Sequence, residues 1–465
     1  MGRNEEAFRG IVMENDKKVK MPIQDAKKRI NNFLEVELGY SDEEALREAN
    51  RCLHCKNPRC VQGCPVNIMI PEFIAAIKDQ NLQRAYEIIS ESSSLPAVCG
   101  RVCPQEKQCE SMCVKGLKGD AIAIGSLERY VADYALNNNL ASKKKVKSNG
   151  KKVAVVGSGP AGLTCASELA KNGYSVTIYE VLHKAGGVLV YGIPEFRLPK
   201  SIVQKEVDNL EKLGVTIKTD VPIGNALTIN DLEKEYDAIF LGTGAGLPKF
   251  MDIPGEDANG VFAANEILTR INLMGAYKDD SKTPIKKVKK AYVIGGGNVA
   301  MDAVRSLKRL GIEAHLMYRR GEEELPARKM EVEHAKEEGI VFELLRNPKR
   351  ILTDDDNNVI GMEVVEMELG EPASDGRRGV SEKANSLYKV DCEMVVMALG
   401  TSPNHEALKE SNINLSDRGL IVVEGAKTSL DKVYAGGDNV TGAATVILAM
   451  EAGKKAAHEI MERLK

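Results

Sequence analysis

The sequence predicts a multidomain chain: an α-helical, cysteine-rich domain followed by two Rossmann-like α/β nucleotide-binding domains, the second inserted in the first. Three observations predict it. Eight of the ten cysteines fall between Cys52 and Cys113. Beyond them, Gly157-Ser158-Gly159-Pro160-Ala161-Gly162 stands between a strand-like and a helix-like stretch. Farther along, Gly295-x-Gly297-x-x-Ala300 repeats that arrangement.

At 465 residues the chain has room for about three domains, and 43% hydrophobic residues supply a packed core. A net charge of −3 and the absence of Trp argue against nucleic acid as a partner. No apolar run is long enough to span a membrane. The start, Met1-Gly2-Arg3-Asn4-Glu5-Glu6, has no signal-type apolar segment, and Glu6 stands where myristoylation needs Ser or Thr. A cytoplasmic location is therefore expected, where clustered cysteines read as metal ligands rather than disulfides.

Residues 1–40 are polar and charged, with Pro22 as a breaker, and read as an N-terminal arm rather than part of a core. Ser41-Asp42-Glu43-Glu44 is a helix start, with a capping hydroxyl and early carboxylates. That helix carries Ala45, Leu46 and Ala49 up to Cys52. Helical periodicity from Ile70 to Ile89 breaks near Asn81, which predicts two short helices between the cysteine groups. Ala121 to Leu136 reads as another helix, so residues 41–142 form a mainly α-helical domain. Lys143-Lys144-Lys145 through Lys151-Lys152, with Ser148-Asn149-Gly150, is a charged linker on the surface.

Val153-Ala154-Val155-Val156 reads as a buried parallel strand, and the glycine turn after it opens a helix to about Asn172. Val176-Thr177-Ile178-Tyr179-Glu180 completes a β-α-β unit. The second unit has a strand from Ala291 to Ile294, a helix to about Leu310 and a strand from Ala314 to Tyr318. Within it, Asp354-Asp355-Asp356-Asn357-Asn358 has the composition of a hairpin turn. Val395-Val396-Met397-Ala398-Leu399-Gly400 and Val433-Tyr434-Ala435-Gly436-Gly437-Asp438 read as strands returning to the first unit. The expected domains are thus residues 150–286 with 396–465, and residues 287–395.

The first turn has the chemistry of a dinucleotide site. Gly157 permits the tight turn, Gly159 lets the backbone approach a pyrophosphate, and Gly162 allows close helix–strand packing. Pro160 and Ala161 open the helix, and Glu180 accepts from a ribose hydroxyl. Downstream segments favour FAD: Lys184-Ala185-Gly186-Gly187 follows Glu180, and Gly436-Gly437-Asp438 offers a carboxylate to the ribityl chain. A helix starting near Gly442-Ala443-Ala444 points its positive end at the flavin, with Ala444 and Thr445 among the expected FAD-binding residues. Leu241-Gly242-Thr243-Gly244 and Ala398-Leu399-Gly400-Thr401 resemble the strand-end turns of two-dinucleotide flavoproteins.

At the second turn, Gly295, Gly297, Asn298, Val299 and Ala300 form the loop and helix start. The acidic residue is missing from the end of the next strand, where Tyr318-Arg319-Arg320 stands instead. Guanidinium groups bind a 2′-phosphate that a carboxylate would repel, so Arg319 and Arg320 predict NADP(H) over NAD(H).

The cysteines read C-x2-C-x4-C-x3-C-P (Cys52, Cys55, Cys60, Cys64) and C-x3-C-P-x4-C-x3-C (Cys99, Cys103, Cys109, Cys113). Cys-x2-Cys alone suits zinc. The x4 and x3 spacings and the Cys-Pro endings look more like 4Fe-4S ligation, with ligands interleaved between two clusters. His54 lies between two ligands in an exposed or supporting role; Cys165 and Cys392 read as structural.

Taken with Asn32-Phe33-Leu34-Glu35-Val36, Arg51-Cys52-Leu53-His54-Cys55, Tyr191-Gly192-Ile193-Pro194, Arg197-Leu198-Pro199 and Gly297-Asn298-Val299-Ala300-Met301-Asp302, the chain resembles the small (β) subunit family of NADPH-dependent glutamate synthase. It is also similar to the large subunit of NADH-dependent reduced ferredoxin:NADP oxidoreductase and to the N-terminal half of dihydropyrimidine dehydrogenase. The resemblance implies FAD, NADP(H) and two 4Fe-4S clusters. It implies one cluster on Cys52, Cys55, Cys60 and Cys113, and another on Cys64, Cys103, Cys109 and a non-cysteine ligand matching Glu128, with Cys99 unligated. Glu110 and Asp120 are alternative carboxylates for that ligand. Arg197 is expected either to line the flavin pocket or to serve a structural role.

The implied reaction is hydride transfer between nicotinamide and flavin, with single electrons passing through the clusters. It needs no side-chain acid or base, and the six histidines form no obvious triad. The implied partner is the glutamate synthase large subunit. Alternatives are the small subunit of an electron-bifurcating ferredoxin:NADP oxidoreductase, with ferredoxin, or a nucleotide-binding scaffold role without turnover.

Overall fold

The structure, a computed structural model, describes residues 17–140, 146–372 and 378–465. The start of the arm, and Lys143, Lys144 and Lys145 of the linker, lie outside the described residues.

Residues 41–140 hold helices and no strand among the described residues. Asp42–Asn50 begins on a complete capping box, Ser41 with Glu44, which satisfies two backbone donors and is worth about 1 kcal/mol. The expected pair of helices is Ile70–Lys78 and Leu82–Ser92. Asn81 divides them because its side chain accepts from Arg84 N at 3.0 Å. Pro96–Val102 and Ile124–Asn137 pack together and complete the domain.

The arm departs from its expectation. Val19 and Tyr40 sit in the main core, and the Tyr40 hydroxyl donates to the Val19 carbonyl. Arg29, 1% exposed, pairs with Glu338 at 2.8 Å, and Phe33 stacks on Tyr277 at 4.2 Å. Residues 17–40 are therefore a strap across the domains. Their polar composition hides this, because a few buried anchors, Val19, Arg29, Val36 and Tyr40, pin a segment whose other residues stay exposed or half-buried.

The first nucleotide unit is a five-stranded parallel sheet in the order Val433–Ala435, Ala238–Leu241, Lys152–Val156, Ser175–Tyr179, Thr216–Lys218. The second is also five-stranded and parallel: Val261–Ala263, Met394–Met397, Lys290–Ile294, Glu313–Tyr318, Val341–Leu344. The C-terminal strand does return to the first sheet, so the insertion stands. The expectation for Val395 to Met397 is corrected: that strand lies in the second sheet, beside Lys290–Ile294. Val261–Ala263, placed before the expected boundary at 287, also belongs there. Both sheets need an all-apolar inner strand, and Met394–Met397, buried throughout, would satisfy either. The two crossings between units pair with each other, Leu247–Pro248 against Thr401–Ser402.

An antiparallel meander extends the second unit. Arg346–Thr353 and Val359–Pro372 form the expected hairpin. Asp354 Oδ1 accepts from Asp356 N at 3.0 Å and Asn358 N at 2.8 Å, which closes its turn. No described helix is long and apolar enough to cross a membrane.

Candidate functional site

At the first turn, Gly157 has φ +96°, and a Cβ there would lie 2.5 Å from the Gly242 carbonyl oxygen. A Cβ on Gly162 would overlap the Gly157 carbonyl oxygen, so helix Pro160–Lys171 presses onto the strand only because position 162 is bare. Gly159 faces open space. It caps the helix without a side-chain acceptor, which leaves first-turn N–H groups directed at an incoming anion.

Glu180 is 4% exposed. Its carboxylate accepts from Ser158 N at 2.9 Å, from the Ser158 hydroxyl and from Leu182 N at 2.8 Å. The Ser158 hydroxyl in turn accepts from Gly186 N at 2.9 Å, and Gly187 at φ +55° backs onto Gly159. The expected acceptor is thus rigidly aimed, and Ser158, which sequence reasoning passed over, is its anchor.

The C-terminal segment closes the same site. Gly437, at φ +85°, approaches Ala161, and Asp438 Oδ1 accepts from Ala444 N at 3.2 Å. Burial pushes the Asp438 carboxyl upward. Thr445 caps helix Val446–Arg463, and a Cβ on Gly453 of that helix would overlap the Ala161 carbonyl oxygen. Helix Val446–Arg463 therefore packs with its second and third turns on the start of helix Pro160–Lys171. The ammonium of Lys200 donates to the carbonyls of Leu189, Ile193 and Leu198, at 3.1 Å and 2.8 Å for the outer two. It thereby holds the Tyr191-Gly192-Ile193-Pro194 stretch; burial brings its pKa down to about 8. No periodicity signals that role.

Arg197 pairs with Asp302 at 2.7 Å and Glu331 at 2.9 Å, both in the second unit. These pairs give Arg197 a structural role between the two units.

At the second turn, Gly295 has φ +140°, and a Cβ would overlap the Ala398 carbonyl oxygen. Gly297 faces open space and caps helix Asn298–Arg309, again without a side-chain acceptor. Ala300 is fully buried where the first unit has Gly162, and Val299 is exposed beside it. Arg319 is exposed and Arg320 half-buried, with Arg320 Nε donating to the Arg378 carbonyl at 3.0 Å.

The cysteines divide into two sets by depth. Cys52, Cys55, Cys60 and Cys113 are half-buried and line one cavity, walled by Ile70, Ile74, Ile122 and Ile124. Cys64, Cys103 and Cys109 are buried, and their neighbour Glu128 is 6% exposed. Glu128 Oε1 is buried without a hydrogen-bond partner. Burial first, then Glu206, pushes this carboxyl up to about 8. The alternative carboxylates are already engaged: Glu110 pairs with Lys18 at 2.5 Å, and Asp120 accepts from Lys18 N at 3.1 Å. An orphaned oxygen beside three buried thiols is a donor set missing its acceptor, so these residues fit an iron–sulfur cluster. Cys99, buried beside Cys103, reaches Met450 Sδ at 3.4 Å. His54 is exposed, and Cys165 and Cys392 are buried as expected.

Two family models match the chain. Residues 29–140 match dihydropyrimidine dehydrogenase domain II, 4Fe-4S cluster, and residues 151–453 match pyridine nucleotide-disulphide oxidoreductase. The chain is 36% identical to the glutamate synthase [NADPH] small chain of Escherichia coli, over 96% of this chain and 97% of that one. It is 36% identical to the NADPH-Fe(3+) oxidoreductase subunit beta of Geobacter sulfurreducens, over 87% of this chain and 63% of that one. Among solved structures, FprA from Mycobacterium tuberculosis in complex with NADPH shares the nucleotide-unit fold at TM-score 0.57 and 19% identity, covering 68% of this chain and 84% of that one.

Proposed function

The chain belongs to the glutamate synthase [NADPH] small-chain family, and on that premise we propose how its parts divide an NADPH oxidoreductase's electron-transfer work. FAD occupies the first turn and NADP(H) the second. One 4Fe-4S cluster takes Cys52, Cys55, Cys60 and Cys113, and a second takes Cys64, Cys103, Cys109 and Glu128. When bound, nicotinamide and flavin exchange hydride, and the clusters carry the electrons singly.

The residues around these groups bind and orient. The two uncapped helix starts hold pyrophosphates, Glu180 fixes a ribose, and Arg319 with Arg320 faces a 2′-phosphate. Arg197 ties the units together through Asp302 and Glu331. Glu128 would supply the oxygen ligand to the inner cluster through its unpartnered carboxyl oxygen.

A gradient of depth carries this reading. The buried set lies against helix Val446–Arg463, which packs through Gly453 on Ala161 just after the first turn; Lys454 of that helix donates to the carbonyls of Val66 and Ser92, both at 3.2 Å. The half-buried set faces outward. On this reading the buried set would hold the cluster on the flavin side, and the half-buried set would hold the one facing a partner subunit, which we take to be the glutamate synthase large subunit in the cytosol. Anaerobic isolation should yield one FAD and about eight iron atoms per chain, NADPH-dependent dye reduction, and copurification with that large subunit. A smaller flavoprotein with a 2Fe-2S centre in its place would redirect the partner. Colourless material that no reconstitution restores would overturn the whole reading.

A further inference from the structure

Three consecutive residues, Pro326, Ala327 and Arg328, lie between the second dinucleotide turn and the cysteine domain. On the turn side, Ala327 N donates to the Gly296 carbonyl at 3.3 Å, and Arg328 N donates to Asn298 Oδ1 at 2.9 Å. On the other side, Lys107 Nζ donates to the Pro326 carbonyl at 3.3 Å. The Arg328 guanidinium, 5% exposed as a residue, donates to the Arg101 carbonyl at 3.2 Å and to Gln105 Oε1 at 2.9 Å. Its Nε also donates to Glu106 Oε1 at 3.4 Å, a carboxylate nearer the surface.

Gln105 extends the contact to the inner ligand set. Its Nε2 donates to the carbonyls of Cys99 and Gly100, at 3.2 and 3.4 Å. It also packs so tightly on Gly125 that any Cβ there would overlap it. Cys103 lies two residues before Gln105, and Glu128 three residues after Gly125. Both ligand-bearing segments therefore rest on one side chain, and that side chain is held by a cation anchored to the dinucleotide turn.

We infer that Arg328 is a positioning residue through which occupancy of the second turn sets the reduction potential of the inner cluster. This rests on the NADP(H) and inner-cluster assignments proposed above. A buried cation held against the ligand-bearing segment favours the reduced, more negative cluster and raises its potential, an effect that Glu106 offsets only in part. A polyanion arriving beside Asn298 competes for that charge and lowers the potential. By linkage, reduction of the cluster weakens dinucleotide binding by the same factor, which favours release of the spent dinucleotide.

The test uses the full holoprotein and 2′-phospho-ADP-ribose, which carries the recognition elements of NADP without its redox ring. Hydrogen exchange is read first. Binding of the probe should change protection over residues 99–110 in the natural chain and leave it unchanged in Arg328→Gln. An EPR-monitored titration follows. The probe should lower the midpoint of one cluster only, and a tenfold loss of probe affinity on reduction would equal about 59 mV. Arg328→Gln should lower the unliganded midpoint and abolish the probe's effect, with Arg328→Lys restoring part of the unliganded value. Equal exchange and equal midpoints in the natural chain and Arg328→Gln would overturn the inference. If the probe does not bind or iron falls short of two clusters, the underlying assignments fail, and the inference falls with them.

Discussion

The two nucleotide units share one plan but are held in the molecule by different forces. The first shares a continuous apolar core with the cysteine domain: Val98, Leu127 and Val131 belong to the same cluster as Val153, Leu163 and Met450. The second has its own apolar core, built on Val293, Met301 and Leu316. It docks through buried charge instead, with Arg29 on Glu338 and Arg197 on Asp302. Arg305 and Arg309 of its fingerprint helix lie over the Phe196 ring at 4.8 and 3.9 Å. Apolar packing is non-directional and close, which suits parts that must keep a fixed separation, as electron carriers do. Paired charges hold only in register, and removing one partner leaves the other stranded.

The largest expected effect breaks the second docking and spares the first. Glu338 receives Arg29, Arg305 and Arg309, so Glu338→Gln should cost about 3–5 kcal/mol. Limited proteolysis should then cut the second unit while flavin and iron are retained. The same network predicts an acid response. Burial, then Arg305, lowers the His334 pKa from its usual 6.5 to about 4. The unfolded chain therefore takes up that proton first, and stability falls as pH drops from 6.5 towards 4. For Glu331, burial opposes ionisation, but Arg197 and Arg305 outweigh it and hold the group at about 2 against 4.5, so its contribution is lost below 4.5. An acid titration followed by proteolysis should release the second unit first, and His334→Asn should flatten the upper part of that loss.

Next in size is the charge at the strand ends. Arg319→Glu should raise KM for NADPH by about tenfold to a hundredfold, or roughly 1.5–3 kcal/mol, with little change for NADH. Equal KM values in variant and natural chain would remove Arg319 from the 2′-phosphate site.

Smaller effects probe the third small residue of each turn. Gly162→Ala places a methyl onto the Gly157 carbonyl and should cost about 1–3 kcal/mol, seen as flavin loss on gel filtration. The reciprocal Ala300→Gly only loosens a helix, by about 1 kcal/mol in a thermal melt. Similar flavin retention in both variants would erase the difference in helix–strand approach.

Much of this was legible in the residues because it depends on local rules. The capping box at Ser41 and the break at Asn81 need only neighbouring side chains and backbone donors. Both glycine turns need only bare positions at fixed offsets. The strap escaped notice because Arg29 looks like any surface arginine until Glu338, 309 residues away, is placed beside it. The sheet to which Val395 to Met397 belongs is not legible, because an apolar strand does not encode which of two neighbours it pairs with. Lys200 and Ser158 gave no signal, since their work is to hold loop carbonyls and a carboxylate that the fold brings to them.

The sequence by itself determined the chemistry carried: two dinucleotide turns, one with Glu180 and one with Arg319, and clustered thiols whose spacing suits iron–sulfur ligation. Only the tertiary structure decided how deep each thiol set lies, which carboxylate remains unpaired beside the inner one, and what locks the second unit in place. The physical reason is range. Turn geometry and ligand type are set within a few residues, whereas burial and ion pairing depend on groups that come together only after the chain has closed.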